Sequence, residues 1–165
     1  MLEREAKSPE SSETREAPSI TFPDQRRRAH TVVLHHAALF VENLDRSASF
    51  YAEVLGFEVT DRAHHSARGI EQVSLSAGHK HADLVIARRL DGTVASADKR
   101  ELFHLAFELA REELFGAFLD HLARQGVPMV AGPREQRANI DGSGSRTAVY
   151  FRDPDGHLLE VTQEH

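Results

Sequence analysis

AVYFRDPDGHLLEV, residues 148–161, decides how this chain is read. Tyr150 and Phe151 lie in an extended run. Asp153, Pro154, Asp155 and Gly156 then supply what a tight turn demands: a carboxylate that accepts backbone N–H groups, a preset φ, and tolerance of positive φ. Leu158, Leu159 and Val161 resume the extended run, so the stretch predicts a β-hairpin. Glu160 stands among these apolar residues. A carboxylate buried there costs several kcal/mol unless it is paired or binds a metal, so its partner is the central question.

Working outward, the same pattern of elements occurs twice. Thr31 to Val41 predicts a strand. Asn43 or Asp45 caps a helix whose apolar face is Leu44, Ala48, Tyr51, Ala52 and Leu55, and Gly56 ends it. Strands follow at Phe57 to Thr60, Ile70 to Ser76 and Ala82 to Arg88, with His64 and His65 in a loop after the first of them. A polar linker covers 89–100. The second pass predicts a strand at Leu102 to Leu109 and a helix presenting Leu114, Phe115, Phe118, Leu119 and Leu122 that runs to Gly126. It continues with a short strand at Val127 to Val130, a polar loop at Pro133 to Ser145, and the hairpin. Placing His36 over His104 superposes Ala38 on Ala106, Leu39 on Phe107, Val41 on Leu109 and Phe50 on Phe118. A duplicated unit too small to close its own core gains by pairing with its copy. The expected fold is therefore α+β: two paired βαβββ modules, 31–88 and 101–163, forming a curved mixed sheet with a cleft.

Bulk properties fit one domain. The chain has 165 residues, of which 40% are hydrophobic and nine are Phe, enough for a substantial core. The net charge is −6. Residues 1–30 carry six acidic and six basic side chains, so the excess negative charge lies in the rest and argues against a nucleic-acid partner. With no cysteine, thiolate metal sites and disulfides are excluded. No apolar run is long enough to span a membrane. The Arg26-Arg27-Arg28 run lacks the apolar stretch and cleavage site of an export signal, so a cytoplasmic protein is expected. Residues 1–30, rich in Glu, Arg, Ser and Pro, are expected to form a disordered tail.

The repeat register gives His36 and His104 equivalent places on the first strand of each module, with Glu160 on the last strand of the second. Two neutral imidazoles and one carboxylate form a facial triad that holds a divalent first-row ion and leaves coordination positions open. The segments HHAALFVENLDRSASFYAEVLGFEV (35–59), HLAFEL (104–109) and YFRDPDGHLLEV (150–161) resemble the vicinal oxygen chelate superfamily of glyoxalases, extradiol dioxygenases, fosfomycin-modifying enzymes and bleomycin-binding proteins. The resemblance spans nearly all of 31–163 and implies metal ligation by His36, His104 and Glu160.

Four-ligand members take a further Glu or Gln from the first module's last strand. Here the alignment sets Leu84 opposite Glu160, with Asp83 one residue away as the alternative, so three ligands are expected. Extradiol dioxygenases pair Fe(II) with such a triad and a Tyr ten residues before the Glu, a place that Tyr150 fills. GHKHADLVI (78–86) resembles the strand bearing their acid-base histidine, with His81 nearest. Their usual extra histidine before the Tyr is missing, and Ser143 stands near its place. Fosfomycin thiol transferases place a Thr two residues after the first His, a Ser two before the Tyr and an Arg beyond the Glu, where this chain has Ala38, Ala148 and its closing residues; their anion-binding equipment is missing, so this reading ranks lower. His35 is expected on the opposite strand face with a structural role; Arg146, in the glycine-rich stretch DGSGSR, could close over an anionic substrate but is expected as surface charge.

The leading expectation is an Fe(II) extradiol-type dioxygenase acting on a small substrate with vicinal oxygens, with Tyr150 and His81 catalytic. Mn, Zn or Ni are the alternative metals. A glyoxalase-like lyase or isomerase, and a metal-free drug- or metabolite-binding protein, are the alternative functions. A homodimer is expected, with module pairing within one chain or across two left open.

Overall fold

The computed structural model describes residues 34–78, 82–93, 102–109, 114–137 and 144–165. The expected tail, His81 and Ser143 lie outside them. The elements run β1 (Ala37–Phe40), α1 (Leu44–Leu55), β2 (Glu58–His65), a short 3-10 turn (Ser66–Arg68), β3 (Ile70–Ser76) and β4 (Leu84–Arg89). The order then repeats as β5 (Leu105–Glu108), α2 (Phe115–Arg124), β6 (Met129–Arg137), β7 (Ser145–Arg152) and β8 (Leu158–Glu164). Each module forms its own four-stranded sheet, ordered β1-β4-β3-β2 and β5-β8-β7-β6. The first and last strands of a module pair in parallel, and the others are antiparallel. Among the described residues no strand pairing joins the two sheets.

Helix α1 forms where its caps dictate. The Asn43 side chain accepts from Arg46 N at 3.0 Å, and Gly56 closes the helix at φ 73°, a left-handed conformation that glycine adopts without strain. Its buried face, Ser47, Ala48, Tyr51 and Val54, follows the helical period. The core is shared by both modules: Leu39, Tyr51, Phe57, Leu75, Leu84 and Ile86 from the first meet Leu122, Val149, Phe151, Leu159 and Val161 from the second. Phe57 meets Phe107 edge to face with ring centroids 5.6 Å apart.

The turn residues of the opening stretch fasten one module to the other. Asp155, 8% exposed, reaches the start of α1. Its Oδ1 accepts from the Glu42 backbone N–H at 2.7 Å and from Arg46 Nη2 at 3.0 Å, and its Oδ2 accepts from Ser47 Oγ at 2.7 Å. The site is also the positive end of the helix dipole. Asp153 Oδ2 accepts from the fully buried Tyr51 hydroxyl at 2.9 Å and faces His157 Nδ1 at 2.8 Å. Its Oδ1 takes the backbone N–H groups of Asp155 and His157. Burial alone would raise the Asp153 pKa, but the hydrogen bonds and charge of His157 and the Tyr51 hydroxyl together hold it below the ordinary carboxylate value. Burial, and then the adjacent Asp153, push the Tyr51 hydroxyl well above its usual value.

Three expected boundaries move. The predicted loop with His64 and His65 is the second half of β2, where His64 Nδ1 lies 3.2 Å from Glu71 Oε1 on β3. The short strand expected at 127–130 and the first part of the polar loop after it form one strand, Met129–Arg137. Gly132 and Pro133 masked it by breaking the alternating pattern. Ala131 pairs with Tyr150 and Arg134 with Ala148, so β6 carries one more residue than β7 between these pairs, a bulge. Gly132, at φ 91°, sits in that bulge, and a Cβ there would come 2.5 Å from the Ala148 carbonyl oxygen. The first strand of each module is shorter than its apolar run suggests, since neighbours pair with only four residues.

Candidate metal-binding and substrate site

Strand register builds one face of the second sheet. Tyr150 on β7 stands opposite Glu160 on β8, which in turn stands opposite Ala106 on β5. Ala148 stands opposite Thr162 and Arg134, and Arg146 opposite Gln136 and Glu164. Side chains alternate along a strand, so Glu160, Thr162, Tyr150, Ala148 and Arg146 share this face. Val149, Phe151, Leu159 and Val161 point the other way, into the core. Glu160 therefore sits in an apolar sequence without sitting in the apolar core.

Glu160 is 1% exposed. His104 Nε2 lies 3.0 Å from its Oε2, and Arg146 Nη2 lies 3.5 Å from its Oε1. The His104 and Tyr150 rings meet at right angles, centroids 6.2 Å apart. Tyr150 OH accepts from Gln136 Nε2 at 3.0 Å, and the Arg134 guanidinium covers the Tyr150 ring at 5.1 Å. Arg146, expected as surface charge, is half-buried and turned inward, with Nη2 also 3.4 Å from Gln136 Oε1.

Buried polar atoms without a hydrogen-bond partner concentrate here. Among the described residues they are His104 Nδ1, Arg146 Nε, Glu160 Oε1, Thr162 Oγ1 and Gln163 Oε1, and all but the last belong to side chains grouped at this face. Leaving such a group unpaired costs about 1–3 kcal/mol. A folded protein tolerates several at one place where a ligand completes them.

Of the expected ligands, the structure brings His104 and Glu160 together and places His36 elsewhere. His36 is exposed at the start of β1, its Nδ1 2.9 Å from His35 Nδ1. Both histidines line a hollow of about 490 Å³ on the first sheet, with Ala38, Ile70, Gln72, Ser74 and Val85. His35 thus borders the same hollow as His36. Among the described residues, no three His, Cys, Asp or Glu side chains gather closely enough to hold an ion within one chain.

The donors present nonetheless fit a first-row metal. His104 Nε2 and Glu160 Oε2, 3.0 Å apart as an ion pair, are the two donors that would hold such an ion. The nitrogen and oxygen donor set suits Fe, Mn, Zn or Ni.

The register also corrects the position that corresponds to Glu160 in the first module. Ala38 pairs with Val85 as Ala106 pairs with Glu160, so Val85, not Leu84, is the equivalent residue, and it cannot ligate. Asp83 closes the β3–β4 turn, where its Oδ2 accepts from Ala77 N at 2.8 Å and Ser76 Oγ at 3.3 Å. The sequence reading missed the roles of Asp153, Asp155 and Gln136. The turn pattern signalled the two aspartates as turn formers, and nothing local marked their long-range partners.

Each βαβββ module carries a histidine immediately before its first strand, His36 before β1 and His104 before β5. The chain belongs to the Glyoxalase/Bleomycin resistance protein/Dioxygenase superfamily, whose family model matches residues 33–161. It is 29% identical over 134 residues to "Metallothiol transferase FosB" of Shouchella clausii, covering 78% of this chain and 77% of that protein. It is also 29% identical over 130 residues to "Catechol-2,3-dioxygenase" of Bacillus subtilis, covering 76% of this chain but 39% of that protein. Among solved structures it resembles the fosfomycin resistance protein FosX of Listeria monocytogenes, complexed with Mn(II) and sulfate. There the TM-score is 0.57 and the identity 18%, over 81% of this chain and 93% of that one.

Proposed function

We propose that this protein is a metal-dependent enzyme that chelates two vicinal oxygens of a small substrate, with His104, Glu160 and His36 holding a divalent ion. The observation that carries the reading is Glu160, buried on the polar face with no hydrogen bond at Oε1, where Arg146 Nη2 stands 3.5 Å away, and with His104 3.0 Å from its other oxygen. The Mn(II) bound by the Listeria relative supports a divalent ion. His36 lies on the other sheet, so the third ligand comes from His36 of the partner subunit in a homodimer that sets one module's polar face against the other's.

When bound, the ion supplies the Lewis acidity that lowers the pKa of a chelated hydroxyl and, in the iron form, the redox capacity that oxygen insertion needs. The chain's own residues do the rest. Tyr150 OH accepts its hydrogen bond from Gln136, which leaves its own proton to donate to a substrate oxygen. The Arg134 guanidinium fixes the ring from above. Burial of Glu160 keeps water from its carboxylate and strengthens every charge interaction there. His81 is the proposed proton acceptor for the second substrate hydroxyl.

In its finer form the reading is an Fe(II) extradiol ring-cleaving dioxygenase. Anaerobic Fe(II) loading followed by a catechol panel tests it: O2 uptake with a ring-cleaved product is expected, and no uptake on any catechol would refute it. A second reading, thiol transfer as in the Shouchella relative's name, draws on Arg146. Its cation stands beside Glu160, although Ala38 and Ala148 occupy the places of that group's hydroxyl residues. Consumption of a thiol under Mn(II) without O2 uptake would favour it.

A further inference from the structure

We propose that the Arg146 guanidinium, with the Thr162 hydroxyl beside it, seats an anionic group of the substrate: a carboxylate, phosphonate or phosphate adjoining the oxygens that face His104 and Glu160. This rests on the substrate-site reading above and names the substrate's second feature.

The Arg146 side chain is half-buried and directed along the site face toward Glu160. Its strand position lies opposite Gln136 and Glu164, whereas Glu160 lies opposite Tyr150, four residue pairs further along and the second pair along on the same face. To bring Nη2 within 3.5 Å of Glu160, the side chain must run along the face past Ala148 and Thr162. Ala148, fully buried, is small enough to leave that path open.

Having arrived, the guanidinium is poorly matched. Its Nη2 contacts, 3.5 Å to Glu160 and 3.4 Å to Gln136, are both long, and its Nε is buried with no acceptor. Nε and Nη2 form one edge of the planar fork, an edge shaped for two oxygens of a single anion. Glu160 cannot fill it, because its other oxygen faces His104.

Thr162 Oγ1, on the same face and also buried without a partner, offers a further donor. Arg134 makes no ion pair among the described residues and adds positive potential above Tyr150. A substrate carboxylate or phosphonate would satisfy Arg146 and Thr162 together. Glu160 faces the same space, so the subsite is strongest when a cation shares that carboxylate.

The test titrates inorganic phosphate, and separately acetate, into the full-length protein as purified and after Mn(II) loading, by calorimetry. The proteins are wild type, Arg146→Gln, Arg146→Lys and, as a surface control, Arg124→Gln; thermal melts check that each folds. Phosphate is expected to bind wild type and Arg124→Gln alike and to bind Arg146→Gln at least about tenfold more weakly. Arg146→Lys, which keeps the charge and loses the fork, is expected to fall between them. Acetate binding that is also lost in Arg146→Gln places carboxylates in the substrate class, and phosphate binding alone confines it to phosphoryl and phosphonyl groups. Equal phosphate affinity in wild type and Arg146→Gln, or no binding of either anion, would overturn the proposal. Metal content is measured in parallel. If no variant takes up Mn(II) while Arg146→Gln still loses phosphate, the metal-enzyme reading fails and the anion subsite stands.

Discussion

Replacing Asp155 with Ala tests how the hairpin turn holds the two modules together. The carboxylate accepts three hydrogen bonds, from the Glu42 backbone N–H, Ser47 Oγ and Arg46 Nη2. A hydrogen bond to a charged acceptor is worth about 1.5–3 kcal/mol when buried. Arg46 is nearly half exposed, so its share is cut to a few tenths of a kcal/mol. The buried Ser47 hydroxyl and the Glu42 N–H would be left unpaired, and the sum is about 3–4 kcal/mol. For a body spanning Val32–His165, that lowers Tm by about 10–15 °C. Asp155→Asn keeps a carbonyl acceptor and should cost less than half as much. Circular-dichroism melts measure both. The two variants should rank in that order, and a Ser47→Ala, Asp155→Ala double-mutant cycle should show a coupling of about 1–2 kcal/mol. An Asp155→Ala Tm within about 3 °C of wild type would refute the claim that this turn fastens the modules.

The Tyr51–Asp153 pair makes stability depend on pH at both ends. The Tyr51 pKa is raised in the folded state, so its contribution is complete below the usual value of 10.0 and is lost as pH rises beyond it. Denaturant midpoints should fall above that pH, and Tyr51→Phe should flatten the fall while costing about 1–2 kcal/mol at neutral pH. The Asp153 pKa is lowered, so its contribution is complete above the usual 3.8 and is lost as pH falls through the folded value. Asp153→Asn should therefore flatten the acid limb of the same titration. Gly132→Ala should destabilise by about 2 kcal/mol or more, because a Cβ meets the Ala148 carbonyl oxygen at 2.5 Å and the backbone is left-handed there; an unchanged melt would show that the bulge relaxes freely. Arg146→Gln should also tighten Mn(II) binding about three- to tenfold by removing a cation that shares Glu160, read from the electron paramagnetic resonance signal of free Mn(II).

What the sequence made legible was whatever repeats or punctuates. Gly56 and Asn43 bound α1 because a cap is a local requirement, and the Asp-Pro-Asp-Gly turn announced the hairpin for the same reason. The two-module order followed from matching residue types at a constant register. The oddity of Glu160 among apolar neighbours pointed to the polar face, and alternation along β8 explains it. What stayed hidden depends on contacts across the chain. Asp153 and Asp155 look like turn residues until Tyr51 and Ser47, more than a hundred positions earlier, are brought to them. Strand β6 carries a polar, mostly exposed sequence interrupted by Gly132 and Pro133, so no alternation marked it. Arg146 read as a surface charge because nothing local says that a small Ala148 opens a path to Glu160. Val85 replaced Leu84 as the counterpart of Glu160 because register is a pairwise property, and a shift of one residue exchanges the faces.

The central claim is that Glu160 and His104 hold a divalent ion. Elemental analysis after anaerobic Fe(II) or Mn(II) loading and gel filtration tests it most directly. Wild type should retain about one ion per chain, and His104→Ala, Glu160→Gln and His36→Ala should each retain less than about a tenth of that. Full retention by a folded Glu160→Gln or His104→Ala protein, or none by wild type, would contradict the account.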